Sequence, residues 1–442
     1  MTKARYLQLA DRLGASIQNG KLAPGTRLPT HRAFAEKFDI ALATATRVYK
    51  ELERRSLVVG EAGRGTFVRD LGLPIALGMQ HTAADGLIDL VFNMPGDAAD
   101  PDMLRAGLRR LATAGDLDAM LRYQPHGGRP HERKIFATHL EKSLGPIAPE
   151  HLLVTSGGQH GLALIGIGLF KPGDAIATDA LTYPGFKSVA ALQGLNLVPI
   201  QRKSGAMDPD DLDRQCRTRN LRAVYLMPTV HNPLGAVMDA ATRQGIIDVA
   251  RRHDLRIIED AAYAFLEPNP PPSLITLAPE RTLYVGGFSK SLATGLRLGY
   301  VIAPEHDTPP LLEAIRATTW NAPALISGLV TAWTEDGTLQ RSETARRTDG
   351  AARQAILRDS FHGIKLLSHP NAGFAWVPLD HGLRAEPIVT RLKQHGISIS
   401  GADAFATPPT APQALRLAFG GVPRDELGHL FKTVAAAIPK RP

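Results

Sequence analysis

The chain has 442 residues, 44% apolar and 21% charged with no low-complexity tract, enough to bury a sizeable core in two or more domains. A lone cysteine, Cys216, excludes an intrachain disulfide and a multi-cysteine metal site, no metal is expected, and the absence of any run of about 18 apolar residues excludes a spanning helix. The net charge of +8 is uneven: residues 1–70 hold 13 Lys and Arg against 7 Asp and Glu, the other 372 hold 38 against 36, so a polyanion partner is expected for the first part only.

In that first part Tyr6, Leu9, Ala10, Leu13 and Ile17 recur at helical spacing, Gly20 ends the helix and Pro24-Gly25 makes a turn. A second helix starts at Thr30, whose hydroxyl suits an N-cap, and carries Ala33, Phe34 and Phe38 inward. A third runs from about Ala43 to Arg55 with Val48 and Leu52 inside. Leu57-Val58-Val59, the loop GEAGRG and Thr66-Phe67-Val68 then form a two-stranded ribbon, with Gly63 and Gly65 permitting a tight tip around Arg64. Three helices and a basic wing read as a DNA-binding module.

The segments GKLAPGTRLPTHRAFAEKF, TATRVYKELERRSLV and GRGTFV resemble, in order and spacing, the winged helix-turn-helix of the GntR family of bacterial regulators. The resemblance implies that Arg32, Thr44, Thr46, Arg47, Arg64, Gly65 and Thr66 meet double-stranded DNA, the third helix in the major groove and the wing across the backbone. Ala41 and Leu42 stand where the family usually has a small hydroxyl residue and an arginine, which weakens or re-aims base readout while leaving the phosphate grip intact. The module is expected over residues 1–70, a Gly-containing linker over 71–86, and a second domain over 87–442.

From Leu87 onward strand-like and helical segments alternate, predicting an α/β domain with a mostly parallel sheet and sites beyond the carboxyl ends of the strands. The run ending at Met227 leads to His231-Asn232-Pro233, Arg256 to Ile258 runs into Glu259-Asp260, and Thr282 to Val285 leads to Lys290. An amine, a carboxylate and an amide on one edge suit an aldehyde cofactor. Lys290 can form the Schiff base, Asp260 can hold a pyridine nitrogen protonated, and Asn232 and Tyr263 can donate to a phenolic oxygen. Gly158 and Gln159 open a helix after Leu152 to Val154, and with Ser289 and Arg297 they make a phosphate cradle. Tyr183 is a candidate to stack on the ring. Arg416 lies between Ala414 and Ala418 on one face of ALRLAF, with room to meet a carboxylate.

This order resembles the fold-type I, aspartate-aminotransferase-like enzymes, and with the head attached the chain resembles the MocR subfamily. The resemblance implies a large fold-type I PLP-dependent transferase-like domain with a smaller C-terminal α+β subdomain, and pyridoxal 5'-phosphate as cofactor. It assigns catalytic positions to Lys290, Asp260 and Tyr263, cofactor contacts to these with Asn232, Tyr183, Gly158, Gln159, Ser289 and Arg297, and substrate contacts to Arg416 and Asn232. Tyr123 would reach the phosphate of the other subunit of a homodimer. His231, Trp320 and Asn321 are candidates for the specificity pocket. The reading is a cytoplasmic, PLP-dependent transcriptional regulator sensing an amino acid or amine as an external aldimine, with at most partial aminotransferase chemistry. An active aminotransferase with a vestigial head is the alternative, and a DNA-binding repressor with a degenerate pocket is a second one.

Overall fold

The computed structural model describes residues 5–18, 21–22, 25–55, 57–61, 65–68, 87–95, 101–114, 117–203, 205–408 and 410–439. Helices α1 (Arg5–Gln18), α2 (His31–Lys37) and α3 (Leu42–Arg54) enclose Ala10, Ile17, Phe34, Val48, Tyr49 and Leu52, all buried. The Thr30 hydroxyl caps α2 by accepting from the Ala33 amide at 3.2 Å. One inward assignment fails: Ala33 is exposed and Ala35 is buried. The apolar stripe of α2 is Phe34, Ala35 and Phe38, and Ala33 falls a residue before it. Phe34 packs edge-on to Tyr49 at 5.3 Å, and Tyr49 donates to Pro29 O at 2.6 Å, tying α3 to the start of α2.

The wing is the antiparallel pair β1 (Val58–Glu61) and β2 (Gly65–Val68). Leu28 N donates to Thr66 O and Val68 N to Thr26 O, so the turn before α2 braces β2 from its other edge. The tip with Gly63 and Arg64, and the expected linker 71–86, lie outside the described residues.

After β3 (Ile88–Asp89) come α4 (Pro101–Ala114), α5 (Leu117–Met120) and α6 (Pro130–Leu144), the last started by Pro130 at N1 and a Glu132 side chain that accepts from the Arg129 amide. Strand and helix then alternate through β4 (Leu152–Thr155), α7 (Gly158–Leu169), β5 (Ala175–Asp179), α8 (Pro184–Leu192) and β6 (Asn196–Ile200). The hairpin of β7 (Arg202–Lys203) and β8 (Ala206–Met207) leads to α9 (Pro209–Thr218), β9 (Leu221–Leu226), α10 (Ala240–Arg252), β10 (Arg256–Asp260), α11 (Leu274–Leu277), β11 (Thr282–Gly287) and β12 (Gly299–Ile302). Seven strands make one sheet in the order β4, β12, β11, β10, β9, β5, β6. Only β12 runs against its neighbours; β9, β10 and β11 are parallel, as are β5, β6 and β9. Their burial on both faces, under α7 and α8 on one side and α9 and α10 on the other, explains why these strands read as continuous apolar runs.

Helices α12 (Thr308–Thr318), α13 (Ala324–Glu335) and α14 (Thr338–Ser360) lead to the smaller subdomain. It holds β13 (Phe374–Pro378), α15 (Ala385–Gln394), β14 (Ile397–Ser398), β15 (Ser400–Gly401), β16 (Ala414–Ala418) and α16 (Leu427–Ala437). β13, β16 and β15 form an antiparallel sheet, and β14 pairs in parallel with β3. The segment that enters from the head is therefore built into the C-terminal subdomain. Among the described residues no helix is long and apolar enough to cross a membrane.

Candidate functional site

The ends of β9, β10 and β11 bring Asn232, Asp260 and Lys290 into one cavity of about 450 Å³. Gly158, Gln159, Tyr183, Tyr263, Ser289, Arg297 and Arg416 line it too, so all but one of the residues expected to touch the cofactor or a ligand carboxylate are gathered together. The exception is Tyr123, which is 85% exposed, with its ring 5.4 Å from that of Trp320.

Asp260 ends β10 and is buried. Its Oδ2 accepts from the Tyr225 hydroxyl at 2.7 Å and its Oδ1 from the Ala262 amide at 3.0 Å. Both donors are neutral, and burial raises the carboxyl's pKa against their pull. Tyr225 went unnoticed in the sequence. Its ring stacks on Phe186 with centroids 3.8 Å apart, and β9 pairs Tyr225 with Ile258, which places it on the same sheet face as Asp260. Only that register reveals the contact.

Lys290 Nζ donates to Asn93 O at 2.7 Å and lies 5.9 Å from the Tyr263 ring centroid. The Tyr263 hydroxyl accepts from Asn93 Nδ2 at 3.1 Å. Arg416 is fully buried between Phe374 and Phe405. Its Nη1 donates to Val91 O at 2.8 Å and its Nη2 to Asn232 Oδ1 at 3.4 Å, while Nε meets no acceptor among the described residues. Desolvation pushes this guanidinium's pKa down to about 10. Val91, which acts through its backbone carbonyl, and Asn93, which acts through its carbonyl and its side-chain amide, gave no pattern to read.

Across the cavity, α7 begins at Gly158 with its first amides unpaired within the helix. Its cap, Gly157, has φ +95°, and a Cβ there would stand 2.9 Å from Arg297 Nη2. Arg297, itself left-handed at φ 49°, donates to Ser289 Oγ at 3.3 Å. Gln159 ties α7 to the start of α8 by donating to Gly185 O at 2.9 Å.

Three of these features fit pyridoxal 5'-phosphate. Asp260 is a buried acid facing a cavity and, among the described residues, has no cation in hydrogen-bond contact, as a protonated ring nitrogen requires of its partner. The amide, hydroxyl and guanidinium donors at α7 form an anion cradle. The Lys290 amine opens into the same space.

The three candidates for a specificity pocket do not line the cavity. His231 is buried with Nε2 3.3 Å from Asp179 Oδ2, and burial lowers its pKa. Asp179 also pairs with Arg202 at 2.9 Å, so the histidine is consumed in a packed polar cluster. Trp320 turns outward toward Tyr123 and His126, and the Asn321 amide donates to Ala322 O. Cys216 is half-buried, its thiol pushed up to about 11, which makes it a poor nucleophile at neutral pH.

On the head, Arg32 and Arg47 are exposed and Thr44, Thr46, Gly65 and Thr66 half-buried. Thr46 Oγ1 donates to Leu42 O at 3.0 Å. Leu42 itself is 47% exposed at the first turn of α3, so an apolar side chain occupies the start of that helix. Arg27, not singled out in the sequence, sits against Gly65, with Nε 2.9 Å from where a Cβ would be.

A family model described as aminotransferase class I and II matches residues 86–434, and one described as bacterial regulatory proteins, gntR family, matches residues 5–68. An uncharacterized HTH-type transcriptional regulator, YdeF of Bacillus subtilis, is 29% identical over 93% of this chain and 89% of its own. The 2-aminoadipate transaminase of Thermus thermophilus is 25% identical over 81% of this chain and 92% of its own. Among solved structures, Pyrococcus horikoshii kynurenine aminotransferase superposes with a TM-score of 0.75 at 24% identity, covering 80% of this chain and 91% of that one.

Proposed function

Because the chain belongs to the aminotransferase class I and II family and carries a gntR-family domain at its head, the MocR arrangement with pyridoxal 5'-phosphate as cofactor, we propose that it is a transcriptional regulator whose DNA grip answers to an amino acid or amine bound at the cofactor site. The observation that carries this reading is Arg416. A guanidinium stripped of water, with its Nε unengaged inside a cavity that also holds an amine, is arranged for a ligand bearing both a carboxylate and a primary amine.

Bound there, the cofactor supplies an aldehyde that makes reversible imines with amines. In this reading Lys290 would hold that aldehyde in the absence of a ligand amine, and Asp260, itself held by Tyr225, would keep the ring nitrogen protonated. Asn232 and Tyr263 donate to the phenolic oxygen. Gly158, Gln159, Ser289 and Arg297 hold the phosphate, and Tyr183 covers the ring. Arg416 takes the ligand's carboxylate on its Nε edge. Tyr123, exposed here, faces the site of a second copy in a homodimer. Residues 1–70 form the head, 71–86 the link and 87–442 the sensing domain. Arg32, Thr44, Thr46, Arg47, Arg64, Gly65 and Thr66 meet DNA, which places the protein in the cytoplasm.

The test is reconstitution with pyridoxal phosphate followed by borohydride. A visible imine band must appear, and reduction must fix the cofactor on Lys290; a colourless protein, or label elsewhere, refutes the site. The retained Lys290, Asp260 and Arg416, with the likeness to a transaminase, support a second reading as an active aminotransferase. Fast conversion of the bound cofactor to its pyridoxamine form by many amino acids would favour that one.

A further inference from the structure

Two cavity side chains hold the same short segment by its backbone. Lys290 donates to Asn93 O and Arg416 to Val91 O, two residues apart in the bend that follows β3, where the Val91 and Phe92 amides donate to Asp89 Oδ1. At its other end this segment is β3. Ile88 N donates to Gly396 O and Leu90 N to Ser398 O across the pairing with β14, and Leu90 O accepts from Ala418 N. β14 follows α15, and the start of α15 touches the head: the Arg384 guanidinium lies 3.8 Å above the ring of Phe67 in β2. Beside it, a Cβ at Gly25 would meet the side chains of Glu386 and Pro387 at 3.4 Å. Residue 88 also lies downstream of β2 along the chain itself. Residues 88–93 therefore have the site at one end and both routes to the head at the other.

From this we infer that residues 88–93 relay occupancy of the site to the head, and that Lys290 sets them by moving between the cofactor and the carbonyl of Asn93. The inference rests on the cofactor reading above. Nζ cannot serve both positions. When a ligand's amine takes the cofactor carbon, its carbon–nitrogen bond forms as that of Lys290 breaks, and the two hydrogens leaving the ligand nitrogen end on Nζ. The released amine then hydrogen-bonds to Asn93 O. Arg416 keeps Val91 O through Nη1, because the ligand carboxylate meets Nε and Nη2. Ligand occupancy thus adds one hydrogen bond to the segment and removes none, which is the unequal binding of two states that a switch requires.

Pyridoxamine phosphate isolates this step, since it fills the site but has no aldehyde and leaves Lys290 free. Hydrogen–deuterium exchange on the full chain, loaded with pyridoxal phosphate or with pyridoxamine phosphate, should show peptides spanning 88–93 exchanging on the order of threefold more slowly in the pyridoxamine form, as one net hydrogen bond allows. In Lys290→Ala the two loads should give equal exchange. Equal exchange in the wild type while the visible imine band is present overturns the relay and leaves the cofactor site standing. A difference that survives in Lys290→Ala also overturns it. Loss of the band itself removes the cofactor reading and this inference with it.

Discussion

Asp260 is held in a position that suits binding better than folding. A carboxylate buried against a phenol and an amide has lost its water without gaining a cation, so its pKa is raised and its ionised form weakens the cofactor-free protein. For an acid with a raised folded pKa, the penalty is present above that pKa and disappears as pH falls through it. Asp260→Asn, which can still accept from the Ala262 amide, should therefore be more stable than the wild type without cofactor by on the order of 1 kcal/mol at neutral pH. The gap should close on acidification, and affinity for pyridoxal phosphate should drop sharply. Thermal unfolding of both proteins across a pH series, with a cofactor titration beside it, decides the matter; a less stable variant would mean the carboxylate is well solvated. Asp260 and Lys290 were legible in the sequence because each follows a short apolar run that ends in a polar residue. Tyr225 was not, because it sits inside such a run and only strand register distinguishes it from core.

Among the elements, the three head helices, the ribbon and the central strands follow from spacing and turn residues. The direction of β12 does not, since its apolar run is the same whichever way it enters the sheet. β3 escaped notice for a different reason: two residues of backbone pairing leave no periodicity, although the strand touches both Lys290 and Arg416 through its continuation. Ala33 was misplaced because a seven-residue helix has too few apolar positions to fix its inward face within one residue. The turn into α7 was read correctly, and its geometry explains the glycines. At φ +95° and ψ 163° Gly157 occupies a region that side chains avoid, and Arg297 fills the space a Cβ would need. Gly157→Ala should cost roughly 1–3 kcal/mol of stability. It should also displace Arg297 and weaken cofactor binding, read by fluorescence titration. Unchanged affinity would show that Arg297 does not help form the phosphate cradle.

At the scale of the molecule, the two halves divide the work by charge. The head carries most of the net positive charge and the large domain is close to neutral, so grip on phosphates and sensing of a ligand should be separable. Binding to a random duplex should weaken steeply between about 50 and 200 mM salt, with a slope set by the number of phosphates the head neutralises. Arg47 is exposed on α3, and Arg47→Ala should reduce that slope by about 1 and weaken binding to all sequences alike. Lys290→Ala removes no charge from the head. It should leave the slope unchanged, and its effect should be confined to the difference in DNA affinity between the pyridoxal and pyridoxamine forms. Fluorescence anisotropy at four or more salt concentrations reads both quantities. A slope altered by Lys290→Ala would mean that the large domain itself lies on the DNA, and the division of labour between a basic head and a near-neutral sensor would have to be abandoned.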